Sequence, residues 1–150
     1  MQEEIFEVTV AYEEYIEPIN ELLKQLSSSP VSFTMNELQA IVESPATHLF
    51  LLRVDGAVVG MITLGSYLAP TGCKYWIEDV VVHSAMRGRA YGRRLVECVI
   101  DFATNKGNGT LMLTSKPARV AANALYRAVG FEPKETNVYR MSISSDIDKQ

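Results

Sequence analysis

The stretch Val80-Val81-Val82-His83-Ser84-Ala85-Met86-Arg87-Gly88-Arg89-Ala90-Tyr91-Gly92 decides how this chain is read. It joins two kinds of periodicity. The strand predicted over Tyr75 to Val82 becomes apolar on both faces near its end, as a central strand covered on both sides does. Beyond Tyr91 the period lengthens: Tyr91, Leu95, Val99, Phe102 and Ala103 share one face of a long helix, which Lys106-Gly107-Asn108-Gly109 stops. Between strand and helix lie two glycines and two arginines. A helix N-terminus offers unpaired backbone N–H groups and a partial positive charge, so it suits a phosphate. Gly88 and Gly92 clear side chains from the approach, and Arg87 and Arg89 add charge to it. The spacing is neither G-x-G-x-x-G nor G-x-x-x-x-G-K-[ST], which removes support for a nicotinamide or nucleoside triphosphate site. Taken alone, the segment also fits an ordinary glycine turn with solvated arginines.

Working outward, Ile5 to Val10 reads as a strand and Tyr15, Ile16, Ile19, Leu22, Leu23 and Leu26 as a first helix ended by Ser27-Ser28-Ser29-Pro30. Thr34 and Glu37 have capping-box spacing, opening a second helix that Ser44-Pro45 closes. His48 to Val54 and Val58 to Leu68 are strands around Asp55-Gly56, a hairpin signal. Ala69-Pro70-Thr71-Gly72 is a turn. Past the long helix, Leu111 to Thr114 is a short strand and Val120 to Val129 a helix ended by Gly130. Phe131 to Lys134 and Val138 to Ile143 are two last strands. The polar tail after Ser144 frays. With no repeat or linker, residues 1–150 read as a single α+β domain, a sheet with helices on its faces.

The chain has 150 residues, 47% of them hydrophobic, which is enough to build a core and argues against disorder. Its 14 basic and 18 acidic residues leave a net charge of -4, unlike a protein whose main partner is nucleic acid or an anionic membrane. Cys73 and Cys98 have no ligand spacing with each other or with His48 and His83, so no metal is expected and the thiols read as reduced. The start, Met1-Gln2-Glu3-Glu4, is acidic where a leader would be basic, and the apolar runs are too short to span a bilayer. A cytoplasmic location is expected.

The motifs together resemble the GNAT superfamily of N-acetyltransferases. Its pattern is a central strand, then R/Q-x-x-G-x-G/A, then a helix; here the residues are Arg87, Gly88, Arg89, Ala90, Tyr91 and Gly92, with Ala90 where the family usually has a glycine. A second family motif, A-x-x-L-Y-x-x-x-G-F, is matched by Ala122-Asn123-Ala124-Leu125-Tyr126-Arg127-Ala128-Val129-Gly130-Phe131. The resemblance runs from about Leu49 to Ile143. It implies a mixed, mostly antiparallel sheet of six to seven strands flanked by about four helices, and acetyl-CoA as acyl donor to an amine. The acceptor is open between a small molecule, an amino sugar and a protein amine. A homodimer stays open, as does a non-catalytic module that senses acyl-CoA.

The resemblance also assigns roles. Val80, Val81 and Val82 offer backbone groups to the acetyl carbonyl and pantetheine amides, and residues 87–92 hold the pyrophosphate. Relatives contact pantetheine through an asparagine at the position of Arg119; Asn123 is the substitute here. Tyr126 matches the tyrosine beside the CoA sulfur and can donate to the leaving thiolate. For the amine's proton, Glu78 and Asp79 are candidates. Strand neighbours point to opposite faces, so one of them faces the acceptor; Glu78 is expected to share a face with Trp76, Val80 and Val82. Either acid can instead serve a salt bridge or a loop. His83 reads as a loop residue. Thr136, Asn137 and Tyr139 fall on the expected final hairpin, near the acceptor in relatives. Ser115 lacks a G-x-S-x-G setting, which disfavours a serine hydrolase.

Overall fold

The computed structural model describes residues 1–29 and 31–145. The chain divides into two compact units, one spanning Met1–Lys116 and one beginning at Pro117. In the first unit, five strands are hydrogen-bonded in sequence order: β1 (Glu3–Glu7), β2 (Thr47–Val54), β3 (Ala57–Ala69), β4 (Gly72–Val82) and β5 (Thr110–Met112). The first four are antiparallel to their neighbours, and β5 runs parallel to β4. Three helices belong to this unit: α1 (Ile16–Leu26), α2 (Met35–Glu43) and α3 (Tyr91–Lys106).

Local chemistry sets the boundaries. Asp55 and Gly56 both take left-handed torsions, φ 48° and 85°, and close the β2–β3 hairpin on the pair Val54 and Ala57. Thr34 caps α2: its hydroxyl accepts from the Glu37 N–H while the Glu37 carboxylate accepts from the Thr34 N–H. A second hairpin passes from Ala69 to Gly72. Strand β1 starts and ends earlier than its apolar pattern suggests, at Glu3–Glu7, although the Val8 N–H still reaches the Leu49 carbonyl.

Alternation along the strands sends side chains to two layers. On one face, Leu49, Leu51, Met61 and Val81 pack with Tyr15, Ile19, Leu22 and Leu38 from the α1–α2 region. On the other, Leu52 and Phe50 face α3: Phe102 meets the Phe50 ring at 5.3 Å and the His48 ring at 4.6 Å. Gly60 pairs with Leu52 on one side and Val82 on the other. A Cβ on Gly60 would lie 3.3 Å from both Leu52 and Leu95, so its bare backbone lets α3 settle close to the sheet. Leu95, Val96 and Val99 are fully buried. Removing an aliphatic side chain of that size from water contributes about 1.5–3 kcal/mol.

The second unit holds α4 (Val120–Ala128). Its end is a Schellman motif: the Phe131 N–H donates to the Tyr126 carbonyl at 2.9 Å and the Gly130 N–H to the Arg127 carbonyl at 3.1 Å. Gly130 supplies the left-handed turn at φ 113°. The Tyr126 and Phe131 rings meet edge to face, 6.1 Å apart, the apolar contact that accompanies this cap.

Two expectations are corrected. Among the described residues the sheet has five strands, not six to seven. The strands expected at Phe131 to Lys134 and Val138 to Ile143, and the hairpin carrying Thr136, Asn137 and Tyr139, are absent; residues 132–145 are exposed throughout. Val138, Tyr139, Met141 and Ile143 have the composition of a strand, but a strand exists only when a neighbour takes up its backbone groups, and none does among the described residues. Of the tail expected to fray, 146–150 lies outside the described residues.

Candidate active site

Strand β4 carries the centre of the first unit's site, and it is not a uniform strand. Thr63 pairs with Glu78 and Met61 with Val81, so Asp79 and Val80 together stand opposite the single residue Ile62. This is a β-bulge, and Asp79 holds its left-handed position at φ 52°. Aspartate tolerates that conformation better than a branched residue does. The extra residue changes the facing of everything beyond it. Glu78 lies on the face of Trp76 and, past the bulge, of Val81, the face covered by α1 and α2. Its expected companionship with Val82 is therefore corrected: Val82 pairs with Gly60 on the α3 side.

Both acids are exposed as residues, yet their carboxyl groups bind protons more tightly than usual. Loss of hydration is the main cause for Glu78, and the charge of Asp79 adds to it; for Asp79 the cause is loss of hydration. A carboxyl of raised proton affinity is a better proton acceptor than an ordinary one.

On its β5 side, β4 is paired only over three residues, Lys74 with Thr110, Tyr75 with Leu111 and Trp76 with Met112. Beyond Trp76 no further pair forms among the described residues, so Ile77 to Val82 present backbone groups along an unzipped edge. Val80, Val81 and Val82 all lie on this stretch. The β4–β5 start is tight by contrast: a Cβ on Gly109 would fall 2.6 Å from the Tyr75 ring.

After β4 the chain makes a 3₁₀ turn over Ser84–Met86. His83 caps it, its Nδ1 accepting from the Ala85 N–H at 3.1 Å, which fits its reading as a loop residue. Gln25 of α1 accepts from the Ser84 N–H at 2.8 Å and ties the turn to the first helix. The cradle follows. Gly88 (φ 81°) and Ala90 (φ 61°, ψ 21°) are both left-handed, and α3 opens at Ala90 with no side-chain cap. Arg87, Gly88, Arg89 and Ala90 are exposed, and nothing lies within 4 Å of the position a Gly88 Cβ would take. No side chain caps the first N–H groups of α3, and two arginines precede them in the chain, a combination that fits a diphosphate.

Tyr91 takes a different part from its neighbours. It is 3% exposed, and its hydroxyl donates to Glu3 Oε1 at 2.8 Å, with Arg94 bound to the same carboxylate. The Tyr91 hydrogen bond, then the Arg94 one, hold the Glu3 carboxyl below its usual range. This pinning of α3 to β1 has no signature in the sequence, since the partners are 88 and 91 positions apart. The pair His48–Glu7, at 2.6 Å, is likewise invisible in the sequence.

Asn123 and Tyr126 belong to the second unit. Asn123 turns its amide N–H onto the Arg119 carbonyl at 2.7 Å, within its own helix. Tyr126 is 7% exposed. No three or more His, Cys, Asp or Glu residues form a metal-binding group among the described residues, and no helix there is long and apolar enough to cross a membrane.

Comparison with known proteins identifies the family and the fold. The profile of the Acetyltransferase (GNAT) family matches residues 12–131. N-alpha-acetyltransferase RimI of Mycobacterium tuberculosis is 34% identical over 89 residues, 59% of this chain and 54% of that protein, so the match spans about half its length. Glucosamine 6-phosphate N-acetyltransferase 1 of rice, Oryza sativa subsp. japonica, is 30% identical over 127 residues, 78% of this chain and 74% of the relative. Among solved structures, AAC(6')-Iy bound to the bisubstrate analogue CoA-S-monomethyl-acetylneamine superposes with a TM-score of 0.79 at 19% identity, over 96% of this chain and all of that one, a likeness of fold. With the family profile covering most of its length, the chain belongs to the GNAT acetyltransferase family.

Proposed function

We propose that this chain is an acetyl-CoA-dependent N-acetyltransferase that moves the acetyl group to a primary amine. The observation that carries the reading is the run along β4 and into α3: two carboxyls of raised proton affinity at a bulge, an unpaired strand edge, then an uncapped helix start beside two arginines. Residues 87–92 hold the diphosphate through backbone N–H groups. The edge from Val80 to Val82 hydrogen-bonds the acyl-bearing arm. An ammonium has no lone pair, so the acceptor must lose a proton before it attacks; Glu78, or Asp79 beside it, takes that proton directly or through water. As the nitrogen–carbonyl bond forms and the carbon–sulfur bond breaks, the departing thiolate takes a proton from the Tyr126 hydroxyl, and the surplus proton on the new amide nitrogen passes through water to the phenolate. Asn123 is assigned to the pantetheine contact.

The test is thiol release from acetyl-CoA across a panel of amines, comprising amino sugars, small alkyl amines and peptide N-termini. Amine-dependent release supports the enzyme. Binding of acetyl-CoA with no release for any amine would instead identify an acyl-CoA sensor.

A further inference from the structure

The start of α3 has little of its own to hold it. Ala90 opens the helix without a side-chain cap, and Gly88 and Ala90 both take left-handed torsions. Its fixed point lies on β1. Glu3 is seated in the sheet, paired with Val54. Beside it the Asp55 N–H donates to the Gln2 carbonyl at 2.8 Å and the Gln2 N–H to Asp55 Oδ1 at 2.9 Å. From that seat the Glu3 carboxylate takes two donors from one face of α3's first turn. The buried Tyr91 hydroxyl donates to Oε1 at 2.8 Å, and Arg94 donates to Oε2. Arg89 meets the same strand end, its guanidinium 3.7 Å from the Met1 sulfur.

A carboxylate bonded to this turn puts negative charge near an anionic ligand, which by itself weakens binding. What it supplies in exchange is order. Two charge-assisted bonds from a sheet residue hold the turn whose backbone N–H groups a diphosphate has to meet together, and a site set before binding loses less on ordering. We propose that Glu3 is a positioning residue for the acyl donor: held in the sheet, it fixes the first turn of α3 through Tyr91 and Arg94 and so sets residues 87–92 for the diphosphate. This rests on the reading under "Proposed function". Glu3 acts through its two partners, so its effect on binding is opposite in sign to that of its charge alone.

The experiment is calorimetry with acetyl-CoA on wild type, Glu3→Ala, Glu3→Gln, Tyr91→Phe and the double variant Glu3→Ala/Tyr91→Phe, each well below its own melting temperature. Glu4→Ala is the control: Glu4 is the next residue of β1, on the opposite face, and pairs with Arg53. Glu3→Ala should bind about three- to ten-fold more weakly, the effect of one hydrogen bond. Glu3→Gln keeps an acceptor for the Tyr91 hydroxyl and should recover part of that loss. Tyr91→Phe should also bind more weakly, and the double variant should lose no more than Glu3→Ala alone, since both remove one link. Glu4→Ala should bind as wild type does. Affinity in Glu3→Ala equal to wild type overturns the proposal, and so does tighter binding, which is what a bare charge near the ligand predicts. Additive losses in the double variant overturn it too, as does a loss in Glu4→Ala matching that in Glu3→Ala, which would assign the effect to the stability of β1. Should Glu3→Ala fail to fold, Tyr91→Phe carries the test, and wild-type affinity there overturns the proposal. All of these results leave the enzymatic reading standing; failure of the wild-type chain to bind acetyl-CoA overturns that reading itself.

Discussion

Replacing Ala90 with glycine should make the protein more stable, although it removes a methyl group from the start of a helix. Ala90 sits at φ 61°, ψ 21°, and left-handed torsions cost an L-residue about 1–2 kcal/mol. Glycine removes that cost. It gives back about 0.4–1 kcal/mol through its greater freedom in the unfolded chain. Ala90 is exposed, so little packing is lost. The net gain expected for Ala90→Gly is about 0.5–1 kcal/mol, a rise in melting temperature of about 1–4 °C for a chain of this size. Ala90→Val is the converse, since a branched side chain is least tolerated at positive φ; it should lose more than about 1 kcal/mol. Urea unfolding followed by circular dichroism, with calorimetric melting alongside, measures both. If Ala90→Gly melts lower than wild type, by the amount a glycine costs inside an ordinary helix, the left-handed cap is not strained and the reasoning fails.

Gly109→Ala should destabilise the fold by about 1–3 kcal/mol, because its Cβ would lie 2.6 Å from the Tyr75 ring and 3.0 Å from the Cys73 carbonyl; urea midpoints check this. For the acids, the charge of Asp79 helps to raise Glu78, so Asp79→Asn should let Glu78 ionise at lower pH and move the acidic limb of kcat/KM downward in pH. Glu78→Gln should flatten that limb, and a profile unchanged in Glu78→Gln would show that it is not the base. Tyr126→Phe keeps the ring contact with Phe131 and removes the proton donor, so turnover should fall by about 10²–10⁴ while acetyl-CoA affinity holds. Full activity in that variant would reduce Tyr126 to a cap residue.

What the sequence disclosed was local. Asp55-Gly56, Thr34 with Glu37, and Gly130 each act through their own backbone, so the hairpin, the α2 cap and the α4 stop were readable without any tertiary knowledge. The passage from strand to helix was readable for the same reason: a strand, glycines, arginines and a helix start adjoin in the chain. The Asp79 bulge was hidden because a bulge is a relation between two strands, and Glu78-Asp79-Val80 looks like uninterrupted strand. The bond of Tyr91 with Glu3 depends on partners brought together across the fold. The opposite error came at 138–143, where alternating apolar residues suggested a strand but alternation cannot supply a neighbour.

The bulge gives β4 a phase. Upstream of Asp79, odd-numbered residues such as Tyr75 and Ile77 point toward α3; downstream, Val82 does. The strand is two half-strands of opposite parity joined at one acid. Each half meets both helix layers, but odd and even positions exchange layers at the bulge, so substitutions of the same parity upstream and downstream are judged against different neighbours. Length is guarded more strictly than identity. Loss of one residue between Glu78 and Val81 would cancel the phase shift and turn Val81 out of the α1–α2 core or Glu78 away from that face. An asparagine or glycine at 79 would preserve the phase while deleting the charge. Along this strand, counting residues constrains the protein more than naming them.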